Sequence, residues 1–194
     1  MRDIILASTS SYRRLLLERL CLPFRCEAPL CDEGASKDKG VAPADLAREL
    51  ARLKAMSVAE RNPGAIVIGS DQVCALGDEP LGKPGSRRAA LEQLCRLQGR
   101  SHLLFTAVCV IRNRTLHEFM DVSVLSMRSL TGAEIESYVD RDQPFDCAGS
   151  YKLESGGISL FDSINSEDHT AITGLPLLAL GGLLRRLARS IDPG

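Results

Sequence analysis

Apolar residues follow two rhythms along the chain, and the switch between them marks its elements. Asp3 to Ala7 is a short apolar run that reads as a buried strand. Ser8-Thr9-Ser10-Ser11 follows it, a cluster of hydroxyls able to cap the helix that Leu15, Leu16, Leu17 and Leu20 announce. Residues 32–42 are polar and glycine-containing, hence a loop, and Pro43 suits a helix start. Leu46, Leu50 and Leu53 then fall at i, i+4 and i+7 with Arg48, Glu49 and Arg52 on other faces, which predicts an amphipathic helix ending before Pro63. Ala65-Ile66-Val67-Ile68 is a fully buried strand expected to deliver Ser70, Asp71 and Gln72 at its C-terminal end, where open α/β sheets place ligand-binding groups.

The second half continues in the same way. After a loop from Gly77 to Gly85, Ser86 caps a helix that stops near Gly99. Leu103 to Ile111 and His117 to Met127 are rich in β-branched and apolar residues, and Arg112-Asn113-Arg114 between them predicts a hairpin. Thr131-Gly132-Ala133-Glu134 matches the capping box and opens a short helix through Tyr138. Residues 145–166 show no helical period, and the segment 149–157 is the candidate hinge or wall between two lobes. From Thr173 to Ile191, leucines at 177, 180, 184 and 187 alternate with Arg185, Arg186 and Arg189, the pattern of a docking helix.

Composition narrows the class. A chain of 194 residues with 44% hydrophobic residues builds one core or two tightly packed lobes, so residues 1–194 are read as a single domain. Lys plus Arg number 24 against 25 for Asp plus Glu, so no overall field favours nucleic acid or an anionic membrane, and any anion site must be local. The opening apolar run is too short for a signal-peptide core or a membrane span, which makes a cytoplasmic protein the expectation. Seven scattered cysteines without Cys-x-x-Cys argue against a disulfide framework or a zinc ribbon. Cys21, Cys26 and Cys31 recur every five residues, but no fourth ligand completes a tetrahedral set, and small buried or half-buried residues are expected there.

Candidate chemistry gathers at a few places. Ser8, Ser10, Arg13 and Arg14 surround the first strand-to-helix turn, where hydroxyls, backbone N–H groups and a guanidinium can cradle a phosphate. The alternative there is a plain helix cap with two solvated arginines. No Gly-x-x-x-x-Gly-Lys-Ser/Thr pattern is present, so this is not a P-loop. Glu33 and Asp71 are carboxylates able to hold a divalent cation or to take a proton from water, and sequence does not separate the two roles. Lys83, between Gly82 and Pro84, and Lys54, on the helix before the Asp71 strand, are cations that could meet phosphate. His102, His117 and His169 share no motif with a serine or cysteine, and no Gly-x-Ser-x-Gly elbow occurs.

Taken in order, Leu6-Ala7-Ser8-Thr9-Ser10-Ser11-Tyr12-Arg13-Arg14, Asp32-Glu33, Gly69-Ser70-Asp71-Gln72-Val73, Gly82-Lys83-Pro84, Cys147-Ala148-Gly149-Ser150-Tyr151-Lys152 and Gly174-Leu175-Pro176 resemble the Maf family of nucleotide pyrophosphatases. The resemblance implies an α/β fold with an elongated mixed β-sheet flanked by helices, two lobes with a central cleft of the Maf/ITPase kind, and often a homodimer. It also implies cleavage of a nucleoside triphosphate between the α and β phosphates with a divalent metal cation, Mg²⁺ or Mn²⁺. Asp71 takes the position of the proposed catalytic base. Glu33 and Lys83 fall at other active-site positions, Glu33 and Asp71 as candidate metal ligands. Ser8, Ser10, Arg13 and Lys54 fall at the phosphate end. Tyr12, Gln72 and Glu154 occupy positions tied to substrate choice and resemble the branch that hydrolyses 7-methyl-GTP. The other readings are a dTTP/UTP-type pyrophosphatase and a nucleotide-binding regulator of septum formation without turnover. Ser11 stands where the family commonly has Pro, and Tyr12 where close relatives often have Trp.

Overall fold

The computed structural model describes residues 3–32, 34 and 40–189. Its centre is a seven-stranded mixed sheet built around three long strands: β3 (Ile66–Leu76), β5 (Ser101–Arg112) and β6 (Thr115–Met127). β5 and β6 form the expected hairpin, with Arg112 opposite Thr115. Asn113 and Arg114 turn the corner with φ of 49° and 67°, the doubly positive pair of a two-residue turn that matches strand twist. Beyond β3 lie β1 (Ile4–Ala7) and β2 (Arg25–Glu27), both joined in parallel. At the other end β7 (Phe161–Asn165) pairs antiparallel with β6, and β4 (Glu79–Leu81) pairs antiparallel with β3.

The helices start where their caps dictate. α1 (Ser11–Glu18) is capped by Ser10, whose Oγ accepts from Arg13 N at 3.4 Å. α2 (Pro43–Ala59) has no side-chain cap and opens instead on Pro43, with Asp45 in its first turn. α3 (Arg87–Leu97) is capped by Ser86. α4 (Gly132–Asp142) carries the full capping box and runs past the expected Tyr138, because Val139 extends its buried stripe, and stops at Gln143 with φ of 44°. α5 (His169–Ile172) is a single turn capped by Asp168, and α6 (Leu177–Arg189) is the docking helix. Among the described residues, no helix is long and apolar enough to cross a membrane.

Separate apolar clusters make two lobes on one sheet. Leu16 and Leu17 of α1 and Leu180 and Leu184 of α6 pack on β1 and the start of β3, while Leu46, Leu50 and Ala51 of α2 cover the opposite face. At the far end Leu94, Leu97, Ile135 and Val139 from α3 and α4 enclose Leu76, Leu104 and Leu125. α2 approaches β3 at Gly69, where an added Cβ would lie 2.4 Å from Ala51 O and 2.6 Å from Ala55 N.

Two expectations are corrected. Ser70, Asp71 and Gln72 stand in the middle of an eleven-residue strand, not at its end, because β5 pairs with β3 from Val67 through Ala75. On the other edge β1 pairs only with Ile66–Ile68 and β4 only with Cys74–Leu76, which leaves residues 69–73 without a strand neighbour on that edge among the described residues. Cys21 and Cys26, expected to be buried or half-buried, are exposed, Cys31 is half-buried, and none of the seven cysteines forms a disulfide.

The far lobe also buries His102, only 2% exposed, between the rings of Tyr151 and Phe161. Its Nε2 lies 3.0 Å from Tyr151 Oη, which donates onward to Cys74 Sγ, while Nδ1 has no partner. This assigns the proton to Nε2 and leaves Nδ1 as a bare lone pair. Desolvation lowers the pKa of His102 to about 4. The unfolded chain therefore binds a proton near pH 6.5 that the folded chain refuses, so stability is full above pH 6.5 and falls as the pH drops toward 4. A loss of about 3 kcal/mol across that window is expected from urea titrations, and His102→Gln should flatten the slope there.

Candidate active site

The stretch of β3 that is open along one edge forms the floor of a cleft of 790 Å³ between the lobes. Because the sheet is incomplete there, Asp71 and Gln72 both reach the opening although neighbouring strand residues point to opposite faces. The cleft brings together Ser8, Ser10, Tyr12, Arg13, Lys54, Asp71, Gln72, Lys83 and Glu154 from α1, α2, β3, the segment after β4 and the segment after the Gly149 turn. Glu33 lies outside the described residues. The segment 149–157 supplies a wall of the cleft through Tyr151, Leu153 and Glu154.

One end is buried and cationic. Lys54 and Asp71 are 7% and 8% exposed, and Lys54 Nζ donates to Asp71 Oδ1. The pairing follows from packing, since the close approach of α2 at Gly69 sets Lys54 over the carboxylate. Removing either partner from a buried pair typically costs about 3–5 kcal/mol, because the other charge is left desolvated. Ser8 Oγ accepts from Ser10 N at 3.1 Å, which closes the turn ahead of α1. Arg13 Nε donates to the carbonyl of Gly174 at 3.0 Å, and Ser70 Oγ donates to the same oxygen at 3.0 Å. Gly174 holds φ of 115°, so this turn requires glycine. Anchoring through Nε fixes the Arg13 guanidinium at the lining of the cleft, where it can meet a phosphate.

The other end is aromatic and acidic. Tyr12 is half-buried, and its pKa is raised first by that burial and then by the charge of Glu154. Asp146 and Cys147 join them on the wall, and Asp146 pairs with Lys152 Nζ at 3.3 Å. Cys147 is pushed up to about 12, by burial first and then by Asp146, which keeps it a thiol at neutral pH. Asp146, Cys147 and Thr106 are not among the sequence candidates, and of the three only Cys147 lies in a family motif, whereas Ser70 is expected beside Asp71 in its own motif.

A two-lobed α/β protein with cations and hydroxyls at one end of its cleft and a ring beside carboxylates at the other is shaped for an elongated ligand anionic at one end. The Maf-like protein family matches residues 3–187. The chain is 52% identical to a 7-methyl-GTP pyrophosphatase of Xanthomonas oryzae pv. oryzae over 95% of this chain and 96% of the relative. It is 46% identical to the protein of that name from Bdellovibrio bacteriovorus over 94% and 96%, and 48% identical to that of Bordetella pertussis over 98% and 94%. Among solved structures, a HAM1 protein from Coxiella burnetii aligns with a TM-score of 0.47 at 16% identity over 79% of this chain and 89% of that one. The chain belongs to the Maf family.

Proposed function

We propose that this protein is a nucleoside triphosphate pyrophosphatase that hydrolyses 7-methyl-GTP to 7-methyl-GMP and pyrophosphate. The observation that carries this reading is the buried Lys54–Asp71 pair on the floor of a cleft whose two ends differ in charge. Water attacks the α-phosphorus, the bond from that phosphorus to the bridging oxygen breaks, pyrophosphate leaves, and the proton of the water passes to the Asp71 carboxylate. Arg13, Ser8 and Ser10 hold phosphate oxygens at the buried end. Lys83, exposed on the loop after β4, meets the charge that builds on the leaving group.

The donors present fit a divalent ion carried in with the substrate. No three His, Cys, Asp or Glu side chains converge among the described residues, and Mg²⁺ or Mn²⁺ usually takes only one or two carboxylates beside phosphate oxygens and water. Asp71, with Glu33, would supply them. When bound, the ion neutralises charge on the phosphates.

At the base end, a guanine methylated on N7 is cationic, so it gains from stacking on the Tyr12 ring and from the Glu154 carboxylate. Pyrophosphate release from a panel of triphosphates with Mg²⁺ or Mn²⁺ tests the proposal. Preference for 7-methyl-GTP is expected, absence of turnover on every triphosphate rejects the activity, and preference for UTP and dTTP rejects the base assignment alone. Glu154→Gln is expected to cut the kcat/KM ratio of 7-methyl-GTP to GTP about fivefold, about 1 kcal/mol for a partly exposed charge pair. Equal losses on both substrates would remove Glu154 from base choice.

A further inference from the structure

The carboxamide of Gln72 is held by three groups that can only accept from it. Its Nε2 lies 3.0 Å from Thr106 Oγ1, 2.9 Å from the carbonyl of Ala171 and 3.0 Å from the carbonyl of Ile172. Carbonyl oxygens accept and never donate. The single proton of Thr106 is already used, since Oγ1 donates to Ala171 O at 3.0 Å. A flipped amide would set its oxygen against three acceptors, so the assignment of N and O at Gln72 follows from the network. With both amide hydrogens turned inward, Oε1 is the group Gln72 has left for the cleft it lines.

The support behind this arrangement is itself buried. Thr106 is fully buried on β5 directly opposite Gln72. The turn that carries Ala171 and Ile172 is tied by Asp168, 5% exposed, which accepts from Thr170 N at 3.0 Å and Leu178 N at 2.7 Å. None of these groups needs to touch a ligand to fix what Gln72 offers.

We infer that Thr106 is a positioning residue that makes Gln72 an acceptor-only reader of the base, selecting nucleotides whose base edge presents N–H donors, as guanine does, over those that present a lone pair there, as adenine does. This rests on the nucleotide reading above and adds the direction of the hydrogen bond and the residue that enforces it. A site whose acceptor is fixed leaves that acceptor unpaired against the wrong edge, which is the strongest form of discrimination a small pocket has.

The test compares Thr106→Val, which keeps the shape and removes the hydroxyl, with Thr106→Ser, which keeps the hydroxyl. Two readouts are taken: kcat/KM for 7-methyl-GTP, GTP and ATP, and calorimetric affinity for GMP and AMP, which needs no turnover. Thr106→Val is expected to lower the guanine-to-adenine preference about tenfold, with Thr106→Ser within about twofold of the parent. Gln72→Met is the second variant. It keeps the length and removes the acceptor, so the inference predicts loss of guanine preference. Retained preference in Gln72→Met, or parallel losses on all nucleotides in Thr106→Val, overturns the inference. An unmodified protein that binds GMP over AMP yet releases no pyrophosphate rejects the activity and leaves the amide orientation standing.

Discussion

Asp71→Asn should lower kcat on the preferred triphosphate by about a thousandfold while leaving KM within a few fold, because it removes the proton acceptor and keeps the shape. The asparagine oxygen still accepts from Lys54, so the side chain keeps its place. What changes is that the Lys54 ammonium, 7% exposed, loses the charge that compensates it, and a fall in stability of up to about 3 kcal/mol accompanies the loss of turnover. The two effects separate in the double variant Asp71→Asn with Lys54→Met, which removes both charges from the buried site. Stability should recover there and turnover should not. Turnover within tenfold of the parent in Asp71→Asn, measured by single-turnover kinetics, would exclude proton transfer to this residue.

Gly69→Ala should be among the most damaging single methyl additions at the described residues. The added carbon meets Ala51 O at 2.4 Å and Ala55 N at 2.6 Å, both backbone atoms in the middle of α2, so no side-chain rotation relieves it. The helix must lift from the sheet, at a cost of about 3 kcal/mol, or roughly 10 °C in Tm for a chain of this size. Lys54 sits on the lifted helix and Asp71 two residues along the strand, so any protein that remains folded should also turn over more slowly. Unchanged thermal and urea denaturation would show that the helix has room to move.

What the sequence revealed depended on how local the cause was. The caps at Ser10, Ser86 and Thr131 and the proline start at Pro43 act within one helical turn, and each sits where the pattern placed it. The sequence pattern ends β3 early, because Gly69-Ser70-Asp71-Gln72 looks like a strand giving way to a loop. These polar residues remain in a strand because their partners come from far away: Lys54 at a separation of 17 residues, Thr106 at 34, Ala171 at 99 and Gly174 at 104 from Ser70. β2, with the sequence Arg25-Cys26-Glu27, and β7, largely exposed, carry no apolar run, so edge pairing alone defines them. For the site, motif order gathered the cleft residues, whereas the Lys54–Asp71 contact and the inward amide of Gln72 required the fold.

The open edge of β3 sets a limit on how stable this protein can become. β1 ends where Ser8 leaves the sheet, its N–H donating to Leu6 O at 2.9 Å, and β4 ends at Gly82-Lys83-Pro84. The residues that stop these two strands are the ones proposed to hold the phosphates. If the register of β4 continued, Gly82 would face Val73 and Lys83 would face Gln72, and one or two further rungs would seal the opening. Strand growth and the proposed nucleotide binding therefore compete for the same opening over residues 69–73. Selection for a tougher empty protein, through β-branched residues at Ser8 or Gly82, would zip the sheet shut and expel the ligand, so heat tolerance and affinity should trade against each other at these two strand ends.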